Sequence, residues 1–167
     1  MRVVANLFSS IGTGLLAYST FSKKKSKMLW IQVGDCWFNA LGNLFVGSYA
    51  AMITNLFALI RNVLNATKLM SNWLLWILTL ALICYGLEFN TKGFVGLLPV
   101  VASVEYTIWS TKSKNTQQLR IALAINLVLW FVHDCAVGLY PAMIVDVVVF
   151  ATTLMNLARY RHEDFSC

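Results

Sequence analysis

Hydrophobic residues run along this chain in seven long blocks, broken by short polar or glycine-bearing stretches such as "SKKKSK" and "TKSKNT". The blocks predict helices at about Val3–Thr20, Met28–Val46, Ser48–Ala66, Asn72–Leu87, Phe94–Ser110, Gln118–Val137 and Leu139–Ala158. Each is about 16–20 residues long, near the length that crosses a hydrocarbon core of roughly 30 Å. Helices satisfy their backbone groups internally, which a segment in lipid must do. The short alternating segments of a transmembrane β-barrel are absent from the pattern. Gly47 and Gly138–Pro141 fall between blocks and predict tight turns. Trp30, Trp73 and Trp109 fall near block ends and read as interfacial anchors. Pro99 lies inside the fifth block, where it removes a backbone donor and bends the helix.

Composition turns this pattern into a solvent assignment. The 167 residues are 59% hydrophobic and 12% charged, with mean hydropathy +0.68. Soluble domains carry about 25% charged residues, so lipid is expected to be the main solvent. A polytopic, all-α transmembrane protein follows. The opening segment has an apolar core, but only Arg2 precedes it while "KKKSK" follows. That charge order suits a retained helix rather than a cleaved signal peptide.

Charge then orients the bundle. With the N-terminus outside, Lys23, Lys24, Lys25 and Lys27 fall in the first cytoplasmic loop. Arg61 and Lys68 fall at the inner end of the third helix, Lys112, Lys114 and Arg120 in the next inner loop, and Arg159 and Arg161 at the inner end of the seventh. Only Arg2 and Lys92 remain outside, giving an N-out, C-in topology. The net charge of +6 is accounted for by this bias, so nucleic acid is not expected as a partner. Cys36, Cys84, Cys135 and Cys167 form no CxxC pair and no Cys/His cluster, and the first three read as small hydrophobes. No metal or other cofactor is expected.

The chain also repeats itself. "VGSYAAMITN" (Val46–Asn55) returns 91 residues later as "VGLYPAMIVD" (Val137–Asp146), identical at six of ten positions. "STFSK" (Ser19–Lys23) returns at the same offset as "STKSK" (Ser110–Lys114), and Asn65 corresponds to Asn156. Helices one to three therefore correspond to helices five to seven, and the fourth has no counterpart. An odd-membered repeat fused directly to its copy would invert it. One inserted helix restores a parallel arrangement, a known transporter plan with the site near the bilayer midplane between the repeats. The expected organisation is a first three-helix repeat at 1–68, a linker helix at 69–91, and a second repeat with a short cytoplasmic tail at 92–167.

A three-helix unit, a single linker helix, a second three-helix unit and N-out topology together resemble the SWEET/MtN3 superfamily. "GSYAAMITNLFALIRNVL" and "PAMIVDVVVFATTLMNLARYR" are more closely similar to the YgjV-like bacterial inner-membrane proteins. The resemblance implies a SWEET-like 3+1+3 fold in the bacterial cytoplasmic membrane. It carries over no assigned substrate.

Polar positions inside the helices are costly, about 2.5–3.5 kcal/mol for a central charge on insertion scales, and their placement predicts a site. Asp35, Asn39 and Asn43 are spaced i, i+4, i+8 on one helix face, and the repeat places Asn126, Trp130 and Asp134 at the equivalent positions. Either the two stripes face a shared central cavity, or they hydrogen-bond neighbouring helices as glue. In SWEET-like proteins an Asn pair on the third helix of each unit faces the substrate. By that resemblance Asn55 takes the first position, and Asp146 replaces the second Asn with a carboxylate. Trp130, on the polar face, is a candidate stacking platform, whereas Trp37 lies off it and reads as packing. His133, beside Asp134 near a helix end, reads as solvated, with a proton-carrying role as the alternative. Arg61, about one turn inside the inner boundary, can snorkel, and reads as a structural or counter-ion residue rather than a substrate ligand. If Asp35, Glu105, Asp134 and Asp146 are ionised and share a cavity, they favour a cation or a polar neutral solute over an anion; if protonated, they serve as hydrogen-bond donors.

The reading adopted is a transporter or facilitator of a small polar solute (sugar-, nucleoside- or vitamin-like) that binds between the repeats and passes by alternating access. Asn55, Asp146, Asn39, Trp130, Asn43, Asp134 and Asp35 are the expected lining. The alternative is a non-transporting inner-membrane scaffold or partner-binding subunit. An enzyme is not expected, since no nucleophile–base set, metal cluster or phosphate-binding loop is visible. The expected partners are the lipid bilayer and the solute, and homo-oligomerisation is left open.

Overall fold

The computed structural model describes residues 2–45, 47–90, 93–137 and 140–160. Among these lie seven α-helices and no strand: α1 (Arg2–Ser19), α2 (Lys25–Phe45), α3 (Tyr49–Ala66), α4 (Asn72–Glu88), α5 (Gly93–Lys112), α6 (Thr116–Val137) and α7 (Tyr140–Arg159). The bounds fall within three residues of those predicted. α6 begins earlier because the Asn115 side chain accepts a hydrogen bond from the Gln118 backbone N–H at 3.0 Å, an N-cap that a search for apolar residues passes over.

Six helices close a ring in the order α1, α2, α3, α5, α6, α7, with α7 returning to α1. α2 and α6 meet across the middle, and α4 lies outside against α3 and α5. The connections between packed neighbours are short, so consecutive helices run antiparallel. Gly47 closes the α2–α3 turn at φ +72°, a left-handed conformation that glycine adopts without steric cost. The corresponding Gly138–Pro141 turn centres on residues 138 and 139, which are outside the described residues, as are Val46, Lys92, Arg161 and Cys167.

The distribution of polarity is inverted relative to a water-soluble protein. Among the described residues, buried polar and charged side chains outnumber buried hydrophobic ones, while Trp73, Phe94, Val3, Leu80 and Met155 lie on the outside. An apolar exterior of this extent marks a surface meant for lipid or a partner. Trp30 and Trp109 are likewise exposed, as expected of interfacial anchors, and Trp37 faces outward away from the interior. By length and apolarity alone, α5 and the segment Thr116–Ala136 qualify as membrane spans, with Val3–Ser19 and Asn72–Glu88 as shorter apolar helices. In α2, Gln32, Asp35, Asn39 and Asn43 lower the hydropathy.

α4 shows how an all-apolar helix selects its packing face. Leu75, Thr79, Leu82 and Gly86 are buried, a stripe at helical spacing, and the rest of the helix looks outward. α1 and α2 approach still more closely. A Cβ on Gly42 would lie 2.6 Å from Ser9 Oγ and 3.1 Å from the Ala5 carbonyl oxygen. Small residues of this kind let helix backbones come together in membranes. Gly42→Val is expected to lower the thermal stability of the purified protein by about 1–3 kcal/mol through overpacking. An unchanged melting curve would contradict the α1–α2 contact.

Candidate functional site

The ring encloses a polar chamber of about 130 Å³. All seven residues singled out from the sequence, Asp35, Asn39, Asn43, Asn55, Trp130, Asp134 and Asp146, line it. Asn126, the repeat partner of Asp35, lines it too. The two helix-face stripes converge because α2 and α6 meet across the centre of the ring. Asn55 and Asp146 each stand six residues into their helices, α3 and α7, and so contribute from matching depths.

The α2 stripe is internally connected. Asn39 Nδ2 donates to Asp35 Oδ1 at 2.6 Å, and Asn43 Nδ2 donates to the Asn39 carbonyl at 2.9 Å. On α3, Asn55 Nδ2 donates back to the Ala51 carbonyl at 3.0 Å. On α6, Asn126 Nδ2 reaches across to the Ala102 carbonyl of α5 at 2.8 Å, so this member of the stripe also serves as interhelical glue. His133 Nδ1 and Asp134 Oδ1 are 2.9 Å apart, and the Trp130 ring meets His133 edge-on at 5.7 Å. Asp146 Oδ2 has no partner, although the residue is only 6% exposed.

Two expectations are corrected here. His133 is buried with its Nδ1 2.9 Å from Asp134 Oδ1 rather than solvated, because its face of α6 turns into the ring. Arg61 does not snorkel. It is 3% exposed and lines the chamber. Its Nε donates to Asn62 Oδ1 at 3.1 Å and its Nη1 to Thr107 Oγ1 at 3.2 Å. Its guanidinium lies 4.6 Å from the centre of the Tyr106 ring, a cation–π contact. Glu105 is separate from the chamber. It sits in an apolar cleft between α4 and α5 with Leu87, Val100 and Val104, both carboxyl oxygens buried and unpartnered.

Sequence reasoning missed Gln32 and Tyr106, although both line the chamber. Tyr106 OH donates to Gln32 Oε1 at 2.9 Å. Gln32 precedes Asp35 by three residues and so extends the same stripe by one turn. Among the described residues, no group of three or more His, Cys, Asp or Glu is placed to hold a metal ion.

One end of the ring is closed by polar contacts that repeat at the offset of 91. Asn65 Nδ2 donates to Thr111 Oγ1 at 3.2 Å, and Asn156 Nδ2 donates to Thr20 Oγ1 at 3.1 Å. Asn65 and Asn156 are sequence equivalents, and so are Thr20 and Thr111. Each bond joins the end of a third helix to the end of the first helix in the other half. Thr116 Oγ1 donates to the Lys23 carbonyl at 2.9 Å, and Lys25 Nζ to the Ser113 carbonyl at 2.7 Å. Arg120 belongs to the same closure. It is 1% exposed, with Nε donating to the Thr20 carbonyl at 3.1 Å and Nη2 to the Ser22 carbonyl at 2.9 Å. The chamber runs from Leu16 and Leu123 beside this closure to Asn43 and Asp134 near the opposite helix ends.

A polar interior lined from both halves of the chain, wrapped in an apolar exterior, defines an integral membrane protein. A family model described as "Bacterial inner membrane protein", Imp-YgjV, matches residues 3–164. The chain belongs to that family, which places it in the bacterial inner membrane. No curated protein and no solved structure gives a significant match to it.

Arg120 supplies a direct check on the closure. Replacing it with Met keeps much of the side-chain volume but leaves two buried carbonyls without their charged donor. Arg120→Met is expected to cost about 2–3 kcal/mol of stability, read as a lowered melting temperature in detergent. A variant as stable as the parent would place the guanidinium in water instead.

Proposed function

We propose that this protein is a transporter or facilitator of a small polar solute, working by alternating access between two parallel three-helix repeats. The repeats are α1–α3 and α5–α7, with α4 as linker, in a SWEET-like 3+1+3 plan. All seven helices span the membrane, N-out and C-in, which puts the lysine-bearing loops and the polar closure on the cytoplasmic side. The observation that carries this reading is the reciprocal pair of hydrogen bonds, Asn65 to Thr111 and Asn156 to Thr20. Equivalent residues making the same contact from opposite halves are what an approximate twofold along the membrane normal produces. A limited set of hydrogen bonds holds that end shut, averaging about 0.6 kcal/mol in a membrane bundle for such neutral pairs and more for those donated by Arg120 and Lys25. Thermal motion and ligand binding can therefore open it.

The lining supports a solute recognised by hydrogen bonds. A chamber of about 130 Å³ is slightly smaller than a cavity that holds one benzene ring, about 150 Å³. The conformation described here therefore suits a compact solute. A nucleoside or vitamin would require the repeats to separate further. Enzymatic chemistry forms no part of this proposal. A second reading, a non-transporting membrane scaffold, is favoured by the Asn126 bond to the Ala102 carbonyl and the Arg61 bond to Thr107, which join helices as glue does.

Uptake into proteoliposomes of a panel of radiolabelled polar metabolites separates the two readings. A transporter gives saturable uptake of at least one panel member, and Asp146→Ala lowers it by at least about tenfold in folded protein, the equivalent of about 1.4 kcal/mol. Unchanged uptake in that variant removes Asp146 from the site.

A further inference from the structure

The two halves differ at the end of the chamber opposite the closure, and the difference lies in titratable groups. At the offset of 91, the first half carries Gly42, Asn43 and Asn55 where the second carries His133, Asp134 and Asp146. Gly42 has no room for a side chain, since a Cβ there would lie 2.6 Å from Ser9 Oγ. In the second half the same position holds a buried imidazole. His133 Nδ1 stands 2.9 Å from Asp134 Oδ1, and the two residues are 6% and 5% exposed. A ring nitrogen and a carboxyl oxygen at that distance share a hydrogen bond, so one hydrogen lies between them. Among the described residues Nε2 has no hydrogen-bond partner, which leaves it as the ring position open to a second proton.

The pair belongs to the chamber wall. Asp134 lines the chamber, and so does Trp130, whose indole meets the His133 ring edge-on at 5.7 Å. α6 packs against α2, α5 and α7. The titratable side chains that those helices bring to the lining are Asp35 and Cys36 of α2, Tyr106 of α5 and Asp146 of α7. Glu105 of α5 lies in the separate cleft, and Lys25, Lys27, Lys112 and Arg159 stand at the closure ends of their helices. Arg61 of α3 is the cation of the lining, and its hydrogen bonds go to Asn62 and Thr107. Imidazole is the side chain whose ordinary charge change falls between about pH 5 and 8, and a carboxylate on one ring nitrogen fixes which nitrogen the incoming proton takes.

We infer that His133 and Asp134 form a proton site on the chamber wall, and that solute movement through the chamber is coupled to the proton bound there. His133 Nδ1–H donates to the Asp134 carboxylate throughout. The coupled proton adds to Nε2, giving an imidazolium held by that carboxylate, and leaves from Nε2 on the side that the chamber next faces. Proton and solute occupancy are linked through Asp134 and Trp130, so each changes the affinity for the other by the same factor. The coupling rests on the transport reading, whereas the proton site rests on the geometry of the pair alone.

The chain has 2 histidines, so histidine labelled with nitrogen-15 reports two rings, and His162→Gln identifies the signals of His133. Magnetic resonance of the full chain in nanodiscs is expected to show His133 taking up a proton at Nε2, reversibly, between about pH 8 and pH 5. Nδ1 is expected to stay protonated throughout. A ring that keeps one protonation state over that range overturns the proton site, as does a proton that comes and goes at Nδ1. The coupling is read in proteoliposomes, as uptake of whichever metabolite the panel identifies. External pH is held fixed while the lumen is set one unit more acid or more alkaline, a difference worth about tenfold in a coupled equilibrium. The two initial rates are expected to differ by at least about twofold, within that tenfold, and His133→Gln to bring their ratio to one. Equal rates in the unsubstituted protein overturn the coupling while the transport reading stands, and so does a ratio that His133→Gln leaves unchanged. Absence of saturable uptake of any panel member removes the transport reading and the coupling together. The resonance titration then decides the proton site by itself, and it does so even if His133→Gln fails to fold.

Discussion

A polar group inside a bundle that faces lipid has no water to fall back on, so its partner must come from another part of the same protein or from a ligand. Much of this fold follows from that constraint. Asp35 takes its bond from Asn39, Asn126 gives its amide to the Ala102 carbonyl, and Arg61 spends its donors on Asn62 and Thr107 while stacking on Tyr106. Each contact lies on a helix face turned away from the apolar exterior, and those between helices tie α3 to α5 and α5 to α6. The fourth helix offers only a narrow stripe ending in Gly86, and stays outside.

The same constraint separates the two ends of the ring. Around Thr20, Ser22 and Ser113, the donors Asn156, Arg120 and Lys25 reach a hydroxyl or carbonyls of the other half, and the end is closed. Deeper within, Gln32 Nε2 and Asp146 Oδ2 do not. Satisfied polar groups specify a structure, and unsatisfied ones await something. Under the proposed transport function, a closed end beside an incomplete interior corresponds to a chamber with one end shut.

How much of this was legible in the residues themselves depended on whether a local pattern carried it. The helices were legible, because each needed only a run of apolar residues between punctuation. The stripe at Asp35, Asn39 and Asn43 was legible because helical spacing puts those positions on one face. Its counterpart at Asn126, Trp130 and Asp134 followed from the repeat. The matched motifs "STFSK" and "STKSK" stood out as repeats, yet their role became visible only when Asn156 was found bonded to Thr20 and Asn65 to Thr111. Those pairs are separated by 136 and 46 positions, and no local pattern links them. His133 as solvated and Arg61 as snorkelling were misread for one reason. Each stands near a helix end, where a charged side chain ordinarily reaches water, and only the packing of neighbouring helices turns it inward. Tyr106 was lost among apolar neighbours on α5.

The central claim is that two equivalent halves rock about a shared chamber, opening one end as the other closes. Spin labels at Lys24 and Asn115, equivalent positions beside the closure, report one end. Labels at Phe45 and Ala136, also equivalent and both exposed, report the other. Pulsed electron-resonance distances in nanodiscs are predicted to show two populations at each end, with conditions that lengthen the first distance shortening the second. A single narrow distance at both ends, unchanged across a panel of polar metabolites, would contradict the account and leave a static membrane bundle in its place.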